Sequence, residues 1–166
     1  MLRQLTLSAA LLLATGSVVL AQDSKADSRV EGALKQTDIK FKVDNDGDFK
    51  IEYPCEDNRT QVLFVNSNTE KYGALEVREV WSVAMRTKDL LSAQQANDLL
   101  VATSQLKLGS WELRQQTVKG EKEYWVMFVA KIPADIGPKD IETVIRYTAI
   151  AADRKEKEMT GGKDDF

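Results

Sequence analysis

Two runs of alternating apolar and polar residues, Ile39-Lys40-Phe41-Lys42-Val43 and Phe49-Lys50-Ile51-Glu52-Tyr53, flank Asp44-Asn45-Asp46-Gly47-Asp48. A period of two on both sides of an Asn-Asp-Gly turn predicts a β-hairpin with Lys40, Lys42, Lys50 and Glu52 turned to water. Upstream, Val30, Ala33 and Leu34 recur at helical spacing and predict a short first helix ending near Thr37. Downstream, Gln61 to Asn66 reads as a strand and Asn66-Ser67-Asn68-Thr69 with Gly73 as a loop. A long strand from Ala74 to Met85 follows, with Leu75, Val77, Trp81 and Val83 on one face. Asp89 is placed to cap a helix from Leu90 to about Leu106, with Ala93, Ala96, Leu100 and Thr103 as its core stripe and Gly109 beyond its end. Trp111 to Arg114 alternates again, Val118 to Lys122 supplies a second hairpin turn, and Tyr124 to Ile132 is the returning strand. Pro138 opens a last helix that runs from Lys139 to about Lys157, with Ile141, Val144, Ile145, Thr148, Ala151 and Ala152 as its apolar stripe.

Two strands depart from simple alternation. Val62 to Val65 and Trp125 to Val129 are apolar at every position. An antiparallel sheet with one wet face shows polar residues there, so this sheet needs cover on both faces, from the chain itself, a second copy or a partner. Left uncovered, Trp125, Met127 and Val129 form a binding surface. Ile150 lies opposite the core stripe of the last helix and is the fourth candidate binding residue. The order of elements lacks the βα alternation of a parallel sheet. The expected fold is α+β: a largely antiparallel sheet of about five strands with three helices, in the order α-β-β-β-α-β-β-α.

The first residues add location to this picture. Arg3 gives a positive start, Leu5 to Leu20 is apolar apart from small polar residues, and Val19-Leu20-Ala21 fits a signal-peptidase site before Gln22. The division expected is a signal peptide over 1–21, a disordered stretch over 22–28, one α+β domain over 29–158 and a disordered tail over 159–166. The mature product is about one domain's length and is expected in the periplasm or outside the cell. Removing residues 1–21 takes away one arginine and no acid, so the net charge moves from −3 to −4. An acidic chain without a basic block has no electrostatic reason to seek nucleic acid or anionic lipid, and no segment after the leader is apolar enough to span a bilayer.

Candidate chemistry narrows the function further. The sequence contains no histidine and one cysteine, Cys55. Serine and cysteine triads, imidazole bases and zinc sites of the usual kinds are therefore excluded, as is an intrachain disulfide. Cys55 reads as a buried or half-buried thiol. Asp44, Asp46 and Asp48 match the start of a calcium loop, but glycine falls at the fourth position and Cys55 stands where a bidentate Glu is needed. A turn whose aspartates accept local backbone hydrogen bonds accounts for them better. Glu79, on an otherwise apolar face, is the acid least at home; a cross-strand Lys or Arg partner is the simpler account and a carboxylate enzyme the sharper one. Asn58-Arg59-Thr60 forms a glycosylation sequon, read here as a surface turn before a strand. No metal or cofactor is expected.

The stretches FKVDNDGDFKIEYP and NRTQVLFVNS, the helix containing Ala96-Asn97, LGSWELRQQTVKGEKEYWVMFVAKIP and the closing amphipathic helix together resemble the YbjN-like bacterial sensory-transduction regulators. The resemblance spans residues 28–157 and implies a fold like that of type III secretion chaperones. It also implies a protein-binding, often self-associating module without enzymatic activity, and aligns Asn97 with a helix asparagine of the family. The leader departs from relatives that are cytosolic. The expectation is an exported, non-enzymatic protein- or peptide-binding module that allows a homodimer. The alternative is a small-molecule or lipid carrier with an apolar cavity.

Overall fold

The computed structural model describes residues 26–166. The expected signal peptide and residues 22–25 lie outside them. The elements are α1 (Ser28–Leu34), β1 (Phe41–Val43), β2 (Phe49–Pro54), β3 (Thr60–Val65), β4 (Glu70–Tyr72), β5 (Leu75–Thr87), α2 (Ala93–Gln105), β6 (Ser110–Val118), β7 (Glu121–Pro133) and α3 (Pro138–Thr160). Every strand pairing is antiparallel, in the order β1-β2-β3-β5-β7-β6, with β4 also on β5. The fold is α+β with three helices, as expected, but the sheet has seven strands rather than about five. The unforeseen β4 consists of three exposed residues, so it carries no apolar alternation. It forms because β5 is 13 residues long: β3 pairs with Val80 to Ser82 and leaves the first part of β5 free for β4.

Lys119 and Gly120 both have positive φ, 52° and 83°, which is the backbone that a tight hairpin between β6 and β7 demands. Gly109 is needed for a different reason. At φ +90° it lies so close to β7 that an added Cβ would stand 2.5 Å from the Val129 carbonyl oxygen.

α3 lies across β3, β5 and β7, with α1 against it. Between them Leu34, Phe49, Leu63, Phe128, Ile141 and Ile145 are fully buried. Removing each such side chain from water stabilises the fold by about 1.5–3 kcal/mol. The expected stripe of α3 is buried except for Ala151, which is partly exposed. It also continues further than expected, through Asp153 and Glu156.

Three local readings change. Residues 26–28 are ordered rather than frayed: Asp27 caps α1 through the Arg29 backbone N–H (2.8 Å) and receives 2.7 Å hydrogen bonds from the guanidinium groups of Arg29 and the fully buried Arg78. Arg29 and then Arg78 hold the Asp27 carboxyl far below its usual range against the effect of burial. The cap of α2 is Ser92, in a capping box with Gln95, and not Asp89. The stripe of α2 is also rotated: Leu99 is buried while Leu100 is 67% exposed. Finally, the tail over 159–166 is not free. α3 runs to Thr160, Gly161 closes it in the left-handed conformation, and the Arg59 guanidinium donates to the carbonyls of Gly162 (3.3 Å) and Lys163 (2.7 Å). Asp165 N–H donates to Glu156 at 2.6 Å.

Candidate functional site

The face of the sheet away from α3 holds three of the four candidate residues. Met127 and Val129 are each 1% exposed and pack with Val83, under Trp81, Trp125 and Phe166. Trp125 is half-buried; its indole N–H donates to Glu123 at 3.0 Å, and Arg86 lies 4.3 Å above its ring and 4.9 Å from that of Phe166. Phe64 stacks on Trp81 at 4.4 Å between centroids, and the Trp81 indole donates to Asn66 at 2.7 Å. Beyond the aromatics, Arg114 donates to Glu79 (2.9 Å) and Glu112 (2.7 Å), and Lys131 approaches the same two acids at 3.7 and 2.6 Å. The chain itself supplies cover over Met127 and Val129, one of the sources of cover the sequence left open.

The other residues singled out in the sequence are accounted for locally. Glu79 sits opposite Lys131 in register and is bonded by Arg114, the cross-strand pairing that the simpler account required. Asp44 accepts from the backbone N–H groups of Asp46 (3.0 Å) and Asp48 (2.9 Å), and Asp48 accepts from Ser67 N–H at 2.7 Å, which is turn chemistry. Asn58 ends a single exposed 3-10 turn, Glu56–Asn58, immediately before β3. Cys55 is half-buried, and burial, aided by the Asp153 charge, pushes its thiol up to about 11, so it is protonated near neutral pH. Asn97 lies on the exposed side of α2. Asp153, Glu156 and Asp164 bring carboxylate oxygens within 4.8 Å of one another, as a metal site would. A cation is already there: Arg59 lies 2.6 Å from Asp153, 3.1 Å from Glu156 and 3.7 Å from Asp164.

Ile150 leads to a different surface. It lies in a groove of about 540 Å³ between α2, α3 and the start of β6. The apolar floor is Leu106 at the C-cap of α2, Trp111 of β6, and Tyr147, Ile150 and Ala151 of α3. Core packing sets these aromatics in place from behind: Phe128 meets Trp111 edge-on at 5.4 Å and Tyr147 at 5.7 Å. Trp111 backbone N–H donates to Thr103 at 3.0 Å, which pins α2 beside β6. The rim carries Arg146, Arg154 and Lys155, with Glu158 as the single acid in the lining. Lys155 is bonded to Glu158 at 2.7 Å and sits 5.8 Å from the Trp111 ring. Arg146 and Arg154 have no ion-pair partner among the described residues. A second cleft, of about 300 Å³, lies between α3 and the end of β2 and shares Ile150 and Arg154 with the first.

Of the four candidates the structure therefore places Trp125, Met127 and Val129 together on the self-covered face, and Ile150 alone in an open groove. Trp111, Tyr147, Arg146 and Arg154 were missed. For Tyr147, Arg146 and Arg154 the signal is in α3, where positions 143, 146/147, 150/151, 154/155 and 158 make a second stripe beside the core stripe. That stripe mixes aromatic, aliphatic and basic residues, and so has no contrast in hydropathy. No protein-family model matches the chain, and neither a curated protein nor a solved structure matches it significantly.

Proposed function

We propose that the chain is an exported, non-enzymatic module that binds a protein or peptide in the groove between α2 and α3. The observation that carries this reading is the groove itself: an aromatic and aliphatic floor, fixed by the core, that no segment among the described residues fills. Preorganised aromatic floors of this kind are where binding energy concentrates, because the protein loses little freedom when they are covered. The order helix, strands, helix, two strands, helix supports the likeness to the YbjN-like regulators and to secretion chaperones, which we retain as part of the proposal. A homodimer is compatible with it, and the leader supports a periplasmic or secreted location.

The carrier alternative asks for a cavity that encloses most of its ligand. Here the groove is open along one side and continues across α3 at Ile150. The test is site-specific photo-crosslinking of the exported full chain, with a benzophenone amino acid at Tyr147 or, as a control, at Lys42. Protein or peptide adducts at position 147, abolished by Ile150→Asp and absent from position 42, are expected. Lipid adducts alone would favour the carrier. Equal labelling from both positions would refute the groove as the site.

A further inference from the structure

The groove also says what kind of segment it takes. The chain carries 26 acids against 23 bases, yet the groove rim carries three cations and one acid. Only Lys155 is answered, by Glu158; Arg146 and Arg154 are exposed and have no ion-pair partner among the described residues, in a fold that pairs its more buried arginines Arg59, Arg78 and Arg114. They stand eight residues apart on one helix, about 12 Å along its axis. Between them lie Tyr147, Ile150 and Ala151, so each end of an apolar strip is marked by a guanidinium. Arg154 and Ile150 also belong to the neighbouring cleft toward β2, so the strip is the middle of a track that crosses α3 rather than a closed cup.

Resting on the peptide-binding reading above, we propose that the occupant is an acidic segment of a partner protein, with apolar residues on the strip and carboxylates at both ends. Apolar side chains cover Trp111, Tyr147 and Ile150. Carboxylates accept paired N–H bonds from Arg146 and Arg154, a match of planar fork to planar acceptor that lysine does not offer. The acidic remainder of the surface repels such a segment elsewhere and so directs it to the groove. A basic segment is turned away at the same place.

The test is selection of a random dodecapeptide phage library on the immobilised mature chain, followed by binding of the enriched peptides in solution. Enriched sequences are expected to combine aromatic or leucine residues with net negative charge. Their affinity should fall at least tenfold in the Arg146→Glu/Arg154→Glu variant and weaken from 50 to 500 mM salt, with circular dichroism showing that the variant is folded. Reselection on that variant should enrich basic sequences. Enrichment of neutral or basic peptides that are lost in Ile150→Asp would overturn the acidic assignment and leave the groove standing. Enrichment indifferent to Ile150→Asp, or none at all, would overturn both.

Discussion

Arg59 concentrates more long-range structure than any other side chain in the fold. It is 8% exposed, joins the turn just before β3 to Asp153 and Glu156 near the end of α3, and holds the carbonyls of Gly162 and Lys163. Removing one member of a buried ionic group leaves its partners charged and unsolvated, so Arg59→Leu is expected to cost about 3–5 kcal/mol in urea denaturation. The cost has a defined pH dependence. Burial raises the Glu156 carboxyl above its usual value even with Arg59 beside it, and without Arg59 it rises further. An acid with a raised folded-state pKa is protonated in the native state before it is in the unfolded chain, so the native state gains stability as pH falls through that range. The deficit of Arg59→Leu should therefore narrow on going from pH 8 to pH 5, by about 1 kcal/mol or more. A deficit that is constant or grows toward acid would show that Glu156 is not the group left unsatisfied.

Among the elements, α2 is the most lightly held. Leu99 is its one buried residue, Leu100 and Val101 are 67% and 65% exposed, and its main tertiary contacts are to β6. Its start depends on the Ser92–Gln95 capping box, so Ser92→Ala should cost about 1 kcal/mol. The loss should appear in hydrogen exchange as faster amides in the first turns of α2, with α3 unchanged; equal acceleration in both helices would mean that α2 opens only with the whole domain. The same contrast explains what was legible in the sequence. α3 and the β1–β2 and β6–β7 hairpins are legible in the sequence because their apolar periodicity and turn residues agree with their packing. On α2 the pattern Ala93, Ala96, Leu100 was as regular as the true one, and tertiary docking on β6 chose the neighbouring stripe. β4 has no pattern of its own and exists only as the partner of an overhanging strand. In the groove, Ile150 is legible because it is apolar opposite the core stripe of its helix. Trp111 and Tyr147 are not legible as floor residues because the floor joins α2 and β6 to the more distant α3.

At the scale of the molecule, the two sides of the sheet are closed by different means. α3 and α1 cover one side. The other is closed by side chains rising from the sheet, Trp81 and Trp125 over Val83, Met127 and Val129, and by Phe166 returning from beyond α3. The returning segment is secured at two points, by Arg59 on its carbonyls and by Arg86 lying against both the Phe166 and Trp125 rings. Ending the chain after Thr160 removes Phe166 from the aromatic cover and the Gly162 and Lys163 carbonyls from Arg59, while leaving the residues that line the α2–α3 groove in place. Cation–π contact and partial burial of one phenylalanine are each worth about 1 kcal/mol, so such a truncation should lower the unfolding free energy by roughly 1–3 kcal/mol. It should also raise the fluorescence of an apolar dye several-fold as Met127 and Val129 become accessible, and leave the Tyr147 crosslinks as they are. Unaltered dye binding would show that Trp81 and Trp125 close that face by themselves. Altered crosslinking would mean that the two sides of the sheet communicate, a coupling that α3 is placed to carry because it runs from the groove at Thr143 to the acid cluster at Glu156.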